Sequence, residues 1–584
     1  MRCRCVVIAV LLIHAGLLAW SACRQSPTLD EPAHLVAGIS HWRFLRFEMY
    51  RVNPPLARMV AVLPVLAAGY ESDWEGFTPS PEARMEFGIG RQFVAANGRR
   101  TLWLTTLARW AGIPWSLLGA WVCYLWARDL YGPRAGLVAL VLWCFSPDIL
   151  GHAPLVTPDV AATALGLAAC YAFWKWLREP SWSRAIVSGL LLGIAGLTKF
   201  TIFILFPLWP AIWLAYRLPQ RGQMPLRRWG GDLGMLAVTV ILGLNVITLG
   251  YGLDEPLKPL GSFEFVSKAL GSEKAEGLTG NRFRDTWLGK LPVPLPAEYL
   301  RGIDVQRKDF EGHGFASYLR GTFAKRGWWY YYLYGMAVKV PLGVWLLVLL
   351  AAVGRRSGCG TSVRRADELV LLAPAVVILA LVSSQTGFNQ HIRYVLPIYP
   401  FAMIWMSRVA CQASRTIRAA ALLAGLWSVG SSLSIYPHSL SYFNELAGGP
   451  RGGHAHLLKS NIDWGQDLLF LERRMDSHRQ ARPLYLVYFG AFDPQRVGVP
   501  FDTPEFGHSA DDRPKAKLVL KPGWYAISVN FLRGDAWDAP TSGGGRIWLP
   551  QDACTELLAR EPTATAGYSI YIYRVLAGDG RGPL

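Results

Sequence analysis

Long apolar runs alternate with short polar stretches over the first three quarters of the chain. A run of about twenty apolar residues is long enough to cross a bilayer as a helix. Counted this way, the pattern predicts about eleven membrane-spanning helices. The candidate segments are 5–22, 104–127, 134–148, 158–177, 184–198, 201–217, 231–250, 333–353, 369–384, 395–409 and 418–436. We therefore expect an α-helical polytopic membrane protein.

The first apolar run has the basic start of a signal peptide, since Arg2 and Arg4 precede it. Its far end lacks the small residues of a cleavage site, because Trp20 stands two positions before Ala22. The run is therefore predicted to be an uncleaved membrane anchor.

Two polar connections, 23–102 and 251–332, are long enough to form structures of their own. Within the first, Leu56 to Tyr70 reads LARMVAVLPVLAAGY, which is short for a span and is interrupted by Pro64. This stretch is predicted to be a helix that lies on the outer membrane face or dips into it.

The composition changes after Tyr436, where Pro- and Gly-rich turns begin to separate short alternating runs. The predicted elements are a helix at 463–478 and strands at 484–490, 523–532 and 568–576. The chain thus divides into a membrane domain, 1–436, and a small α/β domain, 437–584.

The amino-acid composition and the distribution of charge also indicate a membrane protein. Hydrophobic residues make up 52% of the 584 residues and charged residues only 17%, which is unlike an average soluble protein. The net charge is +18, but the Lys and Arg residues cluster between apolar runs. We therefore attribute the charge to membrane topology and exclude a nucleic-acid partner. The nine Cys residues form no CxxC pair and indicate neither a disulfide framework nor a zinc site.

The basic clusters all fall on one side of the membrane if each segment crosses once. They are Arg2 and Arg4, Arg128 and Arg134, Lys175 to Arg184, Arg217 to Arg228, Arg355 to Arg365, and Arg408 to Arg418. By the positive-inside rule that side is the cytoplasm. The N-terminus is then cytoplasmic, and the C-terminal domain lies outside the cytoplasmic (inner) membrane.

This topology brings six ionisable residues to the outer face. They are Asp30 and Glu31 after the first segment, His152 and Asp159 before the fourth, Lys199 after the fifth, and Arg393 before the tenth. Ionisable groups at membrane depth are costly, so those present usually face one another or a cavity.

Each of these residues also has an ordinary structural explanation. The acidic pair and Asp159 are typical of residues that begin helices. Lys199 and Arg393 are long enough to reach lipid headgroups. His152 is typical of a hydrogen-bonded residue at an interface. The residues become informative as a set rather than singly.

As a set they suit one class of reaction. Transfer of a sugar from a lipid phosphate needs a carboxylate to accept the proton of the acceptor hydroxyl. It also needs fixed positive charge to stabilise the departing phosphate. A lipid-linked donor would place such a site at the edge of the bilayer, where the prenyl tail stays in hydrocarbon.

An ordered series of motifs resembles the bacterial relatives of the protein O-mannosyltransferases (glycosyltransferase family 39). These belong to the GT-C superfamily, which also includes the aminoarabinose transferases that act on lipid A. The motifs are LDEPAHLVAGISHWRFLRFEMYRVNPPLARMVAVLPVL, SPDILGHAPLVTPDVAATAL, GLLLGIAGLTKFT, GWWYYYLYGMAVKVPLG, RYVLPIYPF, SYFNELAGGPRGG and SNIDWGQDL. The resemblance covers about residues 25 to 470, and the Asp-Glu pair is its most specific mark.

The resemblance implies a GT-C-like fold and a role for each acidic residue. Asp30 would be the base, Glu31 would support it, and Asp159 would be a second acidic contact. The candidate substrate- and phosphate-binding residues are Lys199, Arg393, His152, Tyr394 and Arg58.

Two departures from the family limit what the resemblance implies. Asn53 stands before the double proline where many relatives have His. The sequence after about residue 470 differs from the β-trefoil domain of eukaryotic protein mannosyltransferases. The acceptor therefore stays open among protein, lipid and glycan.

The sequence favours a glycosyltransferase that moves a hexosyl or pentosyl group from a polyprenyl-phosphate-linked donor. In-line attack with one carboxylate base would invert the anomeric centre. A divalent ion held by Glu31 or Asp159 stays open, because the spacing identifies no metal. The alternatives are a transporter or flippase, although no inverted repeat is visible, and a non-enzymatic assembly protein. The expected partners are the donor, the acceptor and membrane lipids.

Overall fold

The computed structural model describes residues 2–81, 84–220, 226–271, 279–312, 314, 316–353, 364–507 and 517–577. Arg221, Arg355 and Arg356, which contribute to the predicted cytoplasmic charge, lie outside these ranges.

Seven helices in these ranges are long and apolar enough to cross a bilayer, or eight if one bent pair is a single span. The seven are Arg4–Arg24, Asp159–Arg178, Phe200–Arg217, Arg228–Gly250, Arg365–Ser384, Ile392–Cys411 and Arg415–Leu433. The bent pair, Tyr331–Lys339 and Leu342–Val353, turns through 106° where Pro341 interrupts it. The protein is a multi-pass membrane protein, as predicted.

Three further predicted spans coincide with other helices. One is Arg100–Tyr131, 32 residues long with Pro114 inside it. The others are Pro133–Cys144 and Trp182–Gly196, which are apolar but shorter than a full span. The total of eleven spans therefore stays a prediction.

The long loop 23–102 folds into short helices against the membrane helices. They are Glu31–Phe44, Leu56–Ala61, Leu63–Ala68 and Glu86–Asn97. Ala33 and Val36 share a hydrophobic core with Phe93. A Cβ at Gly90 would lie 2.9 Å from the backbone nitrogen of Ala33, so glycine permits this close helix contact. The helix that begins at Glu31 is thereby held in place.

The remaining short helices connect the spans or belong to the C-terminal region. They are Pro147–His152, Lys268–Gly271, Ala297–Gly312, Gly449–Gly452, Leu468–Ser477 and Val529–Leu532.

A four-stranded sheet forms the centre of the C-terminal region. Its strands are, in spatial order, Leu484–Val487, Gly523–Ser528, Ile570–Val575 and Ala564–Ala566. The first pair is parallel and the other two pairs are antiparallel. Two further two-stranded pairs of this region join Phe506–Gly507 to Lys517–Leu518 and Trp537–Pro540 to Arg546–Leu549, whereas the pair of Ser317–Leu319 and Thr322–Ala324 lies in the loop 251–332. The predicted small α/β unit is confirmed.

Backbone hydrogen bonds tie this region to the loop 23–102. The Ser26 N–H donates to the Gln466 carbonyl at 3.0 Å, and the Leu29 N–H donates to the Trp464 carbonyl at 2.9 Å. The stretch before Asp30 therefore runs beside Trp464, although more than four hundred residues separate them in the chain.

Candidate active site

A cavity of about 580 Å³ lies where the loop 23–102, the membrane helices and the C-terminal region meet. Asp30, Asp159, Lys199, Arg393 and Tyr394 all line it. These predicted site residues come from four separate parts of the sequence, and the fold brings them to one place.

The two members of the acidic pair face different surroundings. Glu31 is fully buried, and both of its carboxylate oxygens accept hydrogen bonds from the Arg109 guanidinium, at 2.8 and 2.6 Å. The carboxylate also accepts from the backbone N–H groups of Thr28 and Val156. Burial alone would raise the pKa of Glu31, but Arg109 outweighs it and holds this pKa below its usual value. Glu31 is thus an ionised residue that joins three segments, and it does not line the cavity.

Asp30 lies at the cavity wall instead. It precedes the helix Glu31–Phe44, yet its side chain makes no capping hydrogen bond. The N–H and the hydroxyl of Thr28 both donate to the Glu31 carboxylate, which fixes the turn that leads into that helix. The Asp30 carboxylate lies 3.1 Å from the Arg393 guanidinium. Asp30 thus neither caps the helix nor fixes this turn, and its carboxylate is available to a ligand.

Asp159, Lys199 and Arg393 form a buried charge cluster beside Asp30. Lys199 Nζ lies 2.6 Å from Asp159 Oδ1, and Arg393 Nη1 lies 3.6 Å from Asp159 Oδ2. The exposed fractions of Lys199 and Arg393 are only 3% and 8%, so neither side chain extends to the surface. The Asp159 carboxylate is thus shared by both cations, and Arg393 also contacts the Asp30 carboxylate.

Aromatic rings fix the two cations. The Arg393 guanidinium lies 4.1 Å from the centre of the Trp464 ring, and Lys199 Nζ lies 4.6 Å from the centre of the Tyr394 ring. Such cation–π contacts strengthen when water is excluded. Trp464 lies in the quoted motif SNIDWGQDL, but nothing in the sequence singles it out as a site residue.

Arg58 and His152 do not line this cavity. Arg58 donates to His41 Nε2 at 3.0 Å and to the carbonyls of Tyr50 and Asn53, so it holds the turn before the double proline. His152 is buried, with its ring centre 6.4 Å from that of Trp464. Burial lowers the pKa of His152 to about 3, and the ring is neutral. Substrate contact by Arg58 and His152 therefore stays a prediction, and the contacts of Arg58 suit a structural role.

Gln390 is a cavity-lining residue that the sequence did not indicate. It is buried, and its side-chain Nε2 has no hydrogen-bond partner within the described part of the chain. A buried amide without a partner is costly, so it marks a position where a ligand oxygen would be accommodated.

The cavity wall carries more positive than negative charge. Seven of its residues are Lys or Arg and four are Asp. They are Arg84, Arg91, Lys199, Lys308, Arg393, Lys459, Arg546, Asp30, Asp159, Asp309 and Asp538. An enclosed site with this balance favours an anionic ligand.

Within the described ranges, no three His, Cys, Asp or Glu side chains are grouped closely enough to hold a metal ion. The carboxylates of Glu31 and Asp159 are instead paired with Arg109 and Lys199.

Comparisons with known proteins support the resemblance. Residues 105–242 match the family model of the dolichyl-phosphate-mannose-protein mannosyltransferases. No curated protein sequence matches the chain.

Among solved structures, ArnT from Cupriavidus metallidurans bound to undecaprenyl phosphate aligns at a TM-score of 0.44 and 13% identity, covering 99% of each chain. The apo state of ArnT aligns at a TM-score of 0.44 and 14% identity, covering 100% of each chain.

The family match falls on the helices that carry Arg109, Asp159 and Lys199. Over residues 105–242 the chain is thus similar to the dolichyl-phosphate-mannose-protein mannosyltransferases, and the resemblance to GT-C glycosyltransferases predicted from the sequence is confirmed.

Proposed function

We propose that this protein transfers a sugar from a polyprenyl-phosphate-linked donor to an acceptor at the outer face of the inner membrane. One observation carries the proposal. A cavity carboxylate, Asp30, contacts the buried cation Arg393, and a second buried cation, Lys199, lines the same cavity. These are the two kinds of group that the reaction requires.

The cations would bind the donor phosphate. Arg393 carries a planar set of donors suited to phosphate oxygens, and Lys199 adds a point charge. Asp159 holds both and limits the repulsion between them. Because these charges are already in place, negative charge on the departing phosphate is stabilised without reorganisation of the site.

Asp30 would act as the general base. The acceptor oxygen attacks the anomeric carbon while its proton passes to the Asp30 carboxylate. The bond between the anomeric carbon and the phosphate oxygen breaks, and its electrons leave with the polyprenyl phosphate. A single in-line displacement inverts the anomeric centre. Glu31 would support this step indirectly, because its bonds to Arg109 and Thr28 fix the start of the helix beside Asp30.

The family match supports the donor class. The matched family uses dolichyl-phosphate-mannose by its description, and dolichyl phosphate is a polyprenyl phosphate. The positive balance of the cavity suits the phosphate of such a donor. The proposal leaves the sugar open between hexose and pentose, and the acceptor open among protein, lipid and glycan.

The proposal requires the cavity to face away from the cytoplasm. Alkaline phosphatase fused after residue 440 should be active, and a reporter that works only in the cytoplasm should be silent. The reverse pattern would place Asp30 on the cytoplasmic side and contradict the proposal.

The most direct test compares lipids from cells with and without the gene. Polyprenyl-phosphate-linked sugars are extracted and identified by mass spectrometry. Loss of the protein should cause one such species to accumulate, and plasmid-borne wild-type protein should remove it. Unchanged pools in both strains would contradict the proposed donor.

A further inference from the structure

The segment 458–464 contributes Lys459, Ser460 and Trp464 to the cavity wall and packs against the cavity residues that follow Phe388. Asn461 is its most connected member and has no exposed surface. Its Oδ1 accepts a hydrogen bond from the Ile392 N–H at 2.8 Å. Its Nδ2 donates to the Gln390 carbonyl at 2.8 Å and to the Leu458 carbonyl at 2.6 Å.

These bonds clamp the backbone on both sides of His391. The Gln390 carbonyl and the Ile392 N–H belong to the peptide groups that flank this residue, and one carboxamide holds both. Only a side chain with a donor and an acceptor at its end can make this pair of bonds. Arg393 is the next residue, so its position in the cavity depends on the clamp.

Other contacts fix the two segments to each other. His391 Nδ1 lies 2.6 Å from the Ser460 hydroxyl, and the Trp464 ring packs against the Arg393 guanidinium at 4.1 Å. Asn461 is itself held, since Lys339 Nζ donates to its backbone carbonyl at 2.5 Å. The clamp thus rests on the bent pair of membrane helices as well as on the C-terminal region.

We propose that Asn461 is a positioning residue for Arg393. Its carboxamide sets the backbone from Gln390 to Ile392 and thereby places the Arg393 guanidinium against the donor phosphate. This inference rests on the proposed function, because it assigns Arg393 to donor binding. Asn461 does not line the cavity and acts through the segment that it holds.

The test replaces Asn461 and a matched control. Asn444 is also fully buried, and its Nδ2 donates to the carbonyls of Ala337 and Val340 while its Oδ1 accepts from the Ala447 N–H. None of these partners lines the cavity. Asn461→Ala and Asn444→Ala therefore remove the same kinds of bond, but only the first change removes the bonds to the backbone around His391. Asn461→Ser and Asn444→Ser form a second pair that introduces no charge at either buried site.

Sugar transfer and melting temperature are measured on purified protein with a polyprenyl-phosphate-linked donor. We expect kcat/KM of Asn461→Ala to fall by on the order of a hundredfold, as when a reacting group is misplaced by about 1 Å. Asn444→Ala should melt at a similarly lowered temperature and keep near-wild-type kcat/KM. If the alanine variants fail to fold, the serine pair should show the same contrast.

A double-mutant cycle with Arg393→Ala separates positioning from general damage. If Asn461 acts through Arg393, the two changes together should cost little more than Arg393→Ala alone, because coupled residues are not additive. Fully additive losses, or equal losses in the Asn461 and Asn444 variants, would overturn the inference. Failure of the wild-type protein to bind polyprenyl phosphate or to transfer sugar would instead contradict the proposed function.

Discussion

Adjacent residues Asp30 and Glu31 should respond in opposite ways to substitution. Glu31 is buried against Arg109, and three further donors, the Thr28 backbone and hydroxyl and the Val156 N–H, point at its carboxylate. Glu31→Ala leaves Arg109 buried without its counter-charge. Removing one partner of a buried ion pair costs about 3–5 kcal/mol of folding free energy.

Asp30→Asn should leave folding stability within about 1 kcal/mol of wild type. Its carboxylate makes no capping bond, and Arg393 keeps its contact with Asp159 after the change. Sugar transfer should show the converse order. Asp30→Asn removes the proton acceptor, whereas Glu31→Gln keeps the cavity groups and should lower turnover less.

The assay is intrinsic tryptophan fluorescence during heating in detergent, with sugar transfer measured on the same preparations. The expected pattern is a marked fall in melting temperature for Glu31→Ala and a near-normal value for Asp30→Asn. A normally melting Glu31→Ala beside a destabilised Asp30→Asn would refute the division of roles.

Three further outcomes follow from the cavity and its supports. Lys199→Ala and Arg393→Ala should each lower kcat/KM for the donor by on the order of a hundredfold through loss of phosphate stabilisation, and normal kinetics in both would contradict that role. Gln390→Ala should raise the KM for the donor by about threefold to tenfold, as for one lost hydrogen bond, whereas an unchanged KM would exclude a donor contact. Burial raises the pKa of Asp463 well above its usual value, so the proton bound in the folded state favours folding at low pH and this stability is lost as the pH rises. Asp463→Asn should therefore raise the melting temperature at pH 8 more than at pH 5. An equal change at both pH values would contradict the raised pKa of Asp463.

The sequence was sufficient to predict much of the fold because its strongest signals are local. Apolar runs mark the helices, and the turn residues after Tyr436 mark the C-terminal strands. The motif that begins at Thr28 also has the Thr-x-x-Glu spacing of a capping box, which indicates a bond between Thr28 and the Glu31 side chain. That signal was available to separate Glu31 from Asp30. Pro341 likewise marks the bend within the predicted span 333–353.

The rest of the site depends on contacts between distant parts of the chain. Arg109 pairs with Glu31 across 78 residues, and Trp464 reaches Arg393 only because the C-terminal region folds back onto the membrane helices. Periodicity carries no information about such pairings. Arg109 had one usable signal, since a lone charge within a predicted span is expensive and marks a buried partner or a site.

Asp30 is proposed to accept a proton during sugar transfer at this cavity. Turnover of purified Asp30→Asn with a polyprenyl-phosphate-linked donor provides the decisive test, together with its melting temperature and its affinity for polyprenyl phosphate. We expect normal melting, retained lipid binding and turnover lower by about a hundred- to ten-thousandfold, as for loss of a general base. Wild-type turnover in a normally folded Asp30→Asn protein would contradict this role.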